Sequence, residues 1–165
     1  MNQEKSIIRE LFGWIVYILI IIGLTYLIIT FVGQRTRVSG SSMETTLSDG
    51  DNLIVDKISY RFREPKRFEI IVFPYQYKEN TYYIKRIIGM PGETVQVKEG
   101  KVYINGQDLD EHYGNEDMIA PGIAEEPILL GNDEYFVLGD NRNHSADSRD
   151  ESVGVLHRKD LLGRA

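Results

Sequence analysis

A serine, a lysine and a dense polar loop are the groups in this 165-residue chain whose types and spacing could do chemistry. Ser42 stands in Val38-Ser-Gly-Ser-Ser-Met-Glu-Thr-Thr-Leu47, between a glycine turn and the apolar Met43. A hydroxyl is a weak nucleophile until a neighbouring base takes its proton. Lys85 lies in Tyr83-Ile-Lys-Arg-Ile-Ile-Gly-Met-Pro-Gly-Glu93. In an extended strand Tyr83, Lys85 and Ile87 share one face, and Tyr82, Ile84, Arg86 and Ile88 the other. Lys85 and Arg86 therefore point opposite ways in an otherwise apolar strand. Apolar surroundings disfavour an ammonium: lowering a lysine from near 10.4 to about 8 costs roughly 3 kcal/mol at ~1.36 kcal/mol per unit. The free amine could then take the Ser42 proton, a serine–lysine alternative to the histidine-based triad. Plainer readings stand beside this one. Gly-Ser-Ser is a common turn, and a strand lysine also guards a sheet edge.

The third stretch is Gly139-Asp-Asn-Arg-Asn-His-Ser-Ala-Asp-Ser-Arg149. It could be a solvated loop of Asx turns and surface ion pairs. Alternatively, its alternating charges suit a self-bonded scaffold that fixes one short hydroxyl. In that reading Ser145 bonds and orients the Lys85 amine, while Asp147 and Arg149 pair beneath it. His144 beside Asp147 makes a Ser–His–Asp arrangement conceivable. The strand-borne lysine and the lack of a Gly-x-Ser-x-Gly elbow argue for His144 as a loop residue instead.

These groups need positioning elements. Residues 11–32 are an uncharged apolar run; as a helix they reach about 33 Å, against a ~30 Å hydrocarbon core. The run exceeds the ~7–15 residues of a signal-peptide core, and Gly33 to Arg37 offers no small-residue cleavage site. The expectation is a retained transmembrane anchor with a short flank at 1–10. Lys5 and Arg9 on one side balance Arg35 and Arg37 on the other, so charge alone sets no orientation. Beyond it, branched and aromatic runs predict strands at 52–60, 68–73, 82–88, 94–97, 102–104, 134–138 and 152–156. Turns fall at Glu99-Gly100 and Asn105-Gly106, and a short helical turn at 158–162. Residues 107–132 are acidic, turn-rich and weakly periodic, an expected exposed excursion. One β-rich body over 33–165 follows.

Bulk properties exclude some chemistries. The net charge is −6, and it remains −6 without residues 1–32, where Lys5 and Arg9 cancel Glu4 and Glu10. An acidic body argues against nucleic acid. With no cysteine there is no disulfide and no thiolate catalysis. His112, His144 and His157 make no spaced metal motif, so neither metal nor cofactor is expected.

Together the three stretches resemble the boxes of type I signal peptidases in their compact Gram-positive-type form. Gly40-Ser-Ser42-Met43-Glu-Thr-Thr46-Leu47 is similar to the family's Gly-x-Ser-Met-x-Pro-Thr-Leu. Residues 83–93 match its lysine box almost throughout, and 139–149 match Gly-Asp-Asn-Arg-x-Asn-Ser-x-Asp-Ser-Arg. Arg67 to Phe73 is similar to Gly-Asp-Ile-Val-Val-Phe only in its apolar part. The resemblance implies a mainly β, antiparallel catalytic domain behind one transmembrane helix. It also implies Ser42 as nucleophile, Lys85 as general base, Ser145 as the lysine's holder, and support from Asp147 and Arg149. The Ser42 N–H would meet the oxyanion; Gly40 lacks the side-chain donor some relatives add. Thr45 replaces the usual proline, Phe68 and Glu69 stand where Gly and Asp are common, and His144 replaces Asn.

Small residues before the cut imply shallow apolar pockets, with Val38, Met43 and Ile84 as walls. The implied partners are signal-peptide-bearing preproteins and membrane lipid, with the body outside the cytoplasm. A self-processing Ser–Lys peptidase and a noncatalytic anchored binding domain are the alternatives. The oligomeric state is left open.

Overall fold

The computed structural model describes residues 2–114 and 116–165. Helix α1 (Asn2–Phe31) begins earlier than the apolar run, taking in residues expected as a flank. Its segment Arg9–Phe31 is long and apolar enough to cross a membrane, and none of that apolar window is buried against the rest of the chain. Strands β1 (Gly33–Arg37), β2 (Asn52–Asp56), β3 (Ile70–Pro74) and β4 (Tyr82–Gly89) come next. They are followed by β5 (Thr94–Lys98), β6 (Lys101–Ile104), β7 (Gln107–Asp108) and β8 (Ile128–Leu129). The chain ends with β9 (Glu134–Leu138), β10 (Leu156–His157) and β11 (Gly163–Arg164). A seven-stranded sheet has the order β1-β2-β11-β3-β4-β9-β10, and a four-stranded one β7-β6-β5-β8. The pairings are antiparallel, as the alternating patterns require.

Turn chemistry sets the small sheet. Glu99 and Gly100 (φ 52° and 78°) join β5 to β6, and Asn105 and Gly106 (φ 53° and 79°) join β6 to β7. Both are two-residue hairpin turns with positive φ at each central residue. Strand β4 lies inside the larger sheet, between β3 and β9. Its register slips between Ile87 and Gly89. A Cβ at Gly89 would lie 2.5 Å from Val95, so glycine lets this strand pass close against the small sheet. Ile88, Val95, Leu130, Phe136 and Leu138 share one core there. Ile71, Phe73, Ile87, Tyr135 and Val137 share another on the opposite side.

Four expectations need correcting. Gly33 to Arg37, which carries no strand signal, pairs with β2 along its whole length. The 52–60 run stops at Asp56, because that carboxylate accepts the Ile58 and Ser59 N–H groups at 3.0 Å and turns the chain. Residues 152–154 are turn rather than strand: Asp150 accepts from Ser152 N–H, and its carbonyl accepts from Val153 and Gly154. Only Leu156 and His157 pair, with β9. The 107–132 segment is not simply exposed, since it contributes Met118, Ala124 and Leu130 to the core.

Candidate active site

Ser42 is fixed from both flanks. Upstream, Val38 N–H donates to Asp51 O at 2.8 Å and Gly50 N–H to Val38 O at 3.0 Å. Gly40 N–H donates to Asp49 Oδ1 at 2.9 Å. Downstream, the Thr46 and Leu47 N–H groups close a turn on Met43 O at 2.9 and 2.8 Å. The Met43 side chain, 1% exposed, plugs that turn into the core. From behind, Asn141 N–H donates to Ser42 O at 3.1 Å, and Asn141 Nδ2 to Ser41 O at 3.1 Å. The loop at 139–149 therefore grips the nucleophile's own backbone.

Lys85 comes from β4 with its strand paired on both sides. Its amine is 2.8 Å from Ser42 Oγ and donates to Ile84 O at 3.0 Å. The residue is 3% exposed. Burial pushes the amine down to about 8, against the opposing pull of Asp147 and Asp140. An amine near 8 is a usable base at mildly alkaline pH, and the Ser42 hydroxyl is within reach of its lone pair.

The supporting loop is bonded throughout. Asp147 takes Arg149 Nε and Nη2 at 2.9 Å each and caps Gly139 N–H at 3.1 Å. Arg149 Nη2 also donates to Arg142 O. On the far face of β4, Arg86 donates Nε and Nη2 to the two Asp140 oxygens at 2.8 and 2.6 Å. It reaches Phe68 O at 2.8 Å and Thr46 Oγ1 at 3.2 Å as well. Sequence reasoning placed Arg86 opposite Lys85 but did not find its partner Asp140. Bidentate arginine against a loop aspartate was the available signal.

Ser42, Lys85, Asp147 and Arg149 are thus brought together. Ser145 differs from expectation: its Oγ is buried and has no hydrogen-bond partner, so the Ser145–Lys85 bond is not formed. Ser145 is instead packed against Gly139. Ser42 and Lys85 open on a cleft of about 330 Å³ lined also by Val38, Met43, Ile84 and Tyr83. Val38 and Met43 are core and wall at once. His144 lies on the same cleft, but the Ser42 hydroxyl is bonded to lysine and the Asp147 carboxylate is committed to Arg149. No triad is assembled.

Residues 11–165 match the family described as signal peptidase, peptidase S26. The chain belongs to that family. It is 38% identical to signal peptidase I of Bacillus licheniformis, over 99% of this chain and 91% of the relative. It is 47% identical to the probable signal peptidase I-2 of a Synechocystis strain, over 82% of this chain but 62% of that relative's length. The crystal structure of a signal peptidase I from Enterococcus faecalis V583 superposes with a TM-score of 0.52 at 33% identity. That match covers 62% of this chain and 97% of the other. The chain is a signal-peptide-cleaving peptidase of this family, held at a membrane by its apolar N-terminal helix. Signal-peptide-bearing preproteins are its substrates.

Proposed function

We propose that Ser42 is the nucleophile and Lys85 the general base of this peptidase. The observation that carries the assignment is the 2.8 Å approach of Lys85 Nζ to Ser42 Oγ where the cleft meets the core. Neutral Lys85 accepts the Ser42 proton as Oγ attacks the scissile carbonyl carbon. The oxyanion is met by the Ser42 N–H, which donates to no acceptor among the described residues. Lys85 then returns the proton to the leaving amine as the carbon–nitrogen bond breaks. Water, deprotonated by the same amine, releases the acyl group. Asp147 and Arg149 hold the loop that grips Ser42. Val38, Met43 and Ile84 form shallow apolar walls that admit small side chains before the cut.

In this reading residues 11–32 form the anchor in the cell membrane, in contact with its lipid, and 33–165 the catalytic body on the extracytoplasmic face. The helix ends at Phe31, and β1 and the Ser42 loop follow within a dozen residues. That spacing keeps the cleft near the bilayer, where a membrane-held precursor presents its cut site. The noncatalytic alternative gives way to the curated relatives, which are peptidases over nearly the whole chain.

The test uses the full chain in detergent with a precursor whose signal peptide ends in Ala-x-Ala. The wild-type chain should cut it and itself stay intact, while Ser42→Ala and Lys85→Ala should not cut. The rising limb of the pH–rate profile should be centred near the amine's depressed value of about 8. Cleavage by Ser42→Ala at the wild-type rate would remove the assignment.

A further inference from the structure

The segment between β7 and β8 reaches behind the site and grips three arginines of its scaffold. Glu111 takes Arg142 at both oxygens, Nη1 to Oε1 at 2.6 Å and Nη2 to Oε2 at 2.7 Å. The two side chains are only 10% and 4% exposed. Tyr113 lays its ring over Arg86, with the guanidinium carbon 3.7 Å from the ring centroid. Its other neighbour is Phe68, centroid to centroid 5.1 Å. Further along, Asn143 Oδ1 accepts the Ile119 N–H at 2.8 Å and its Nδ2 donates to Asp117 O at 3.0 Å. Arg149 Nη1 donates to Ala120 O at 3.2 Å, and Ile123 N–H to Arg149 O at 2.9 Å.

None of these clamp residues lines the catalytic cleft. They reach it through arginines. Arg86 adjoins Lys85 in β4 and chelates Asp140, whose neighbour Asn141 holds the Ser42 carbonyl. Arg142 Nε donates to Gly139 O at 3.0 Å, where that loop leaves β9. Phe68 stands at φ 70°, a region that favours glycine. In that posture its carbonyl meets Arg86 Nη1 and its ring meets Tyr113, so this departure from the family's glycine completes the cage around Arg86.

Resting on the Ser42–Lys85 reading, we propose that Tyr113 and Glu111 are positioning residues. In that role residues 111–113 and 117–123 form a rear clamp that holds Arg86 and Arg142, and through them the Ser42 loop, at the separation proton transfer needs. The charged groups acting on or facing Lys85 are Asp147 (paired with Arg149) and Asp140 (paired with Arg86) from the loop, with the Tyr83 ring 5.1 Å away and Arg37 from β1 and His144 along the cleft. If Arg86 is loosened, Asp140 is less well neutralised and water gains entry. Both changes favour the ammonium.

The test compares full-length wild type, Tyr113→Leu, Tyr113→Phe, Glu111→Gln, Glu126→Gln and Ser42→Ala on the Ala-x-Ala precursor, with kcat and KM followed across pH. Glu126 is exposed in the same stretch and controls for loss of negative charge. Tyr113→Leu and Glu111→Gln should each lower kcat about tenfold with KM within about twofold. Their rising limbs should move up by about half a pH unit. Tyr113→Phe keeps the aromatic face and should behave as wild type, as should Glu126→Gln. The proposal is overturned if either clamp variant keeps the wild-type kcat and limb, or if Tyr113→Phe is as impaired as Tyr113→Leu. It also falls if the loss tracks only the folded fraction with the limb unmoved. Precursor cleavage by Ser42→Ala would instead remove the underlying reading, a distinct signature.

Discussion

Lys85 and Arg86, consecutive in β4, divide the buried carboxylates unequally. Arg86 holds Asp140 through two hydrogen bonds, and Asp147 is taken by Arg149. Among the described residues no carboxylate comes within ion-pair distance of Lys85. A buried cation without a counter-ion is costly, and the group responds by shedding its proton. A guanidinium, by contrast, stays charged in a protein and needs a partner. Pairing the acids with arginines is therefore what leaves the lysine as a base.

That arrangement has a stability cost with a defined pH window. The Lys85 amine is held at about 8, below its ordinary 10.5. Below pH 8 folded and unfolded chains both bind the proton, and the fold bears the whole penalty, about 3 kcal/mol at ~1.36 kcal/mol per unit. Between about 8 and 10.5 the folded amine is neutral while the unfolded one is still charged, so the penalty fades as pH rises. Lys85→Met should abolish cleavage yet be more stable than wild type at pH 7 by roughly 1–3 kcal/mol. Thermal unfolding in detergent at pH 7 and pH 10 checks this. An equal gain at both values would rule out a charge origin.

Asp140→Asn leaves Arg86 buried beside a neutral acceptor. Removing one partner of a buried pair typically costs about 3–5 kcal/mol; the amide keeps part of the hydrogen bonding, so a loss of about 3 kcal/mol is expected. One of the two carboxylates that hold the Lys85 value up is also gone. The pH–rate limb of the surviving activity should move to lower pH, opposite to the clamp variants. A limb unmoved or moved upward would contradict the role given to Asp140.

How far the sequence reached depends on the range of each interaction. Ser42, Lys85 and the Asp147–Arg149 pair were legible because residue type and strand alternation carry them: the opposite facing of Lys85 and Arg86 follows from a two-residue period alone. The hairpins at Glu99-Gly100 and Asn105-Gly106 were legible because positive φ selects those residues. Strands β1, β8 and β11 left no local signal; they exist through partners distant in sequence. Glu111–Arg142 and Tyr113–Arg86 were hidden for the same reason. An acidic, turn-rich stretch reads as solvated until the fold shows which cations it meets. Asp150 and Asp56 illustrate the reverse, since each captured backbone N–H groups and cut short a strand that apolar composition favoured.

Ser145 offers a test of the site as drawn. Its Oγ is buried without a partner, a condition that typically costs about 1–3 kcal/mol. Ser145→Ala removes the orphaned group with little change in volume. The variant should therefore be more stable, by about 1 kcal/mol, seen as a rise in Tm in detergent. A fall of similar size would mean that the hydroxyl has a bonding partner in solution, and the Lys85 amine is the one the resemblance implies.

Gly139 is where the loop, the nucleophile and Ser145 crowd together. A Cβ there would overlap Ser145 Oγ and lie 2.5 Å from both Ser145 Cβ and the Ser42 carbonyl oxygen. The side chain could turn away, but the carbonyl belongs to the nucleophile's own backbone and is held by Asn141 N–H. Gly139→Ala should thus move Ser42 relative to Lys85. A displacement of about 1 Å can cost on the order of a hundredfold in rate, so kcat should fall by about that factor. Overpacking should cost a further 1–3 kcal/mol or so in stability. Adding Ser145→Ala relieves the hydroxyl clash but not the clash with Ser42, so the double variant should recover stability while kcat stays low. Full activity in Gly139→Ala, or its return in the double variant, would show that the Ser42 carbonyl is not pinned between Gly139 and Asn141.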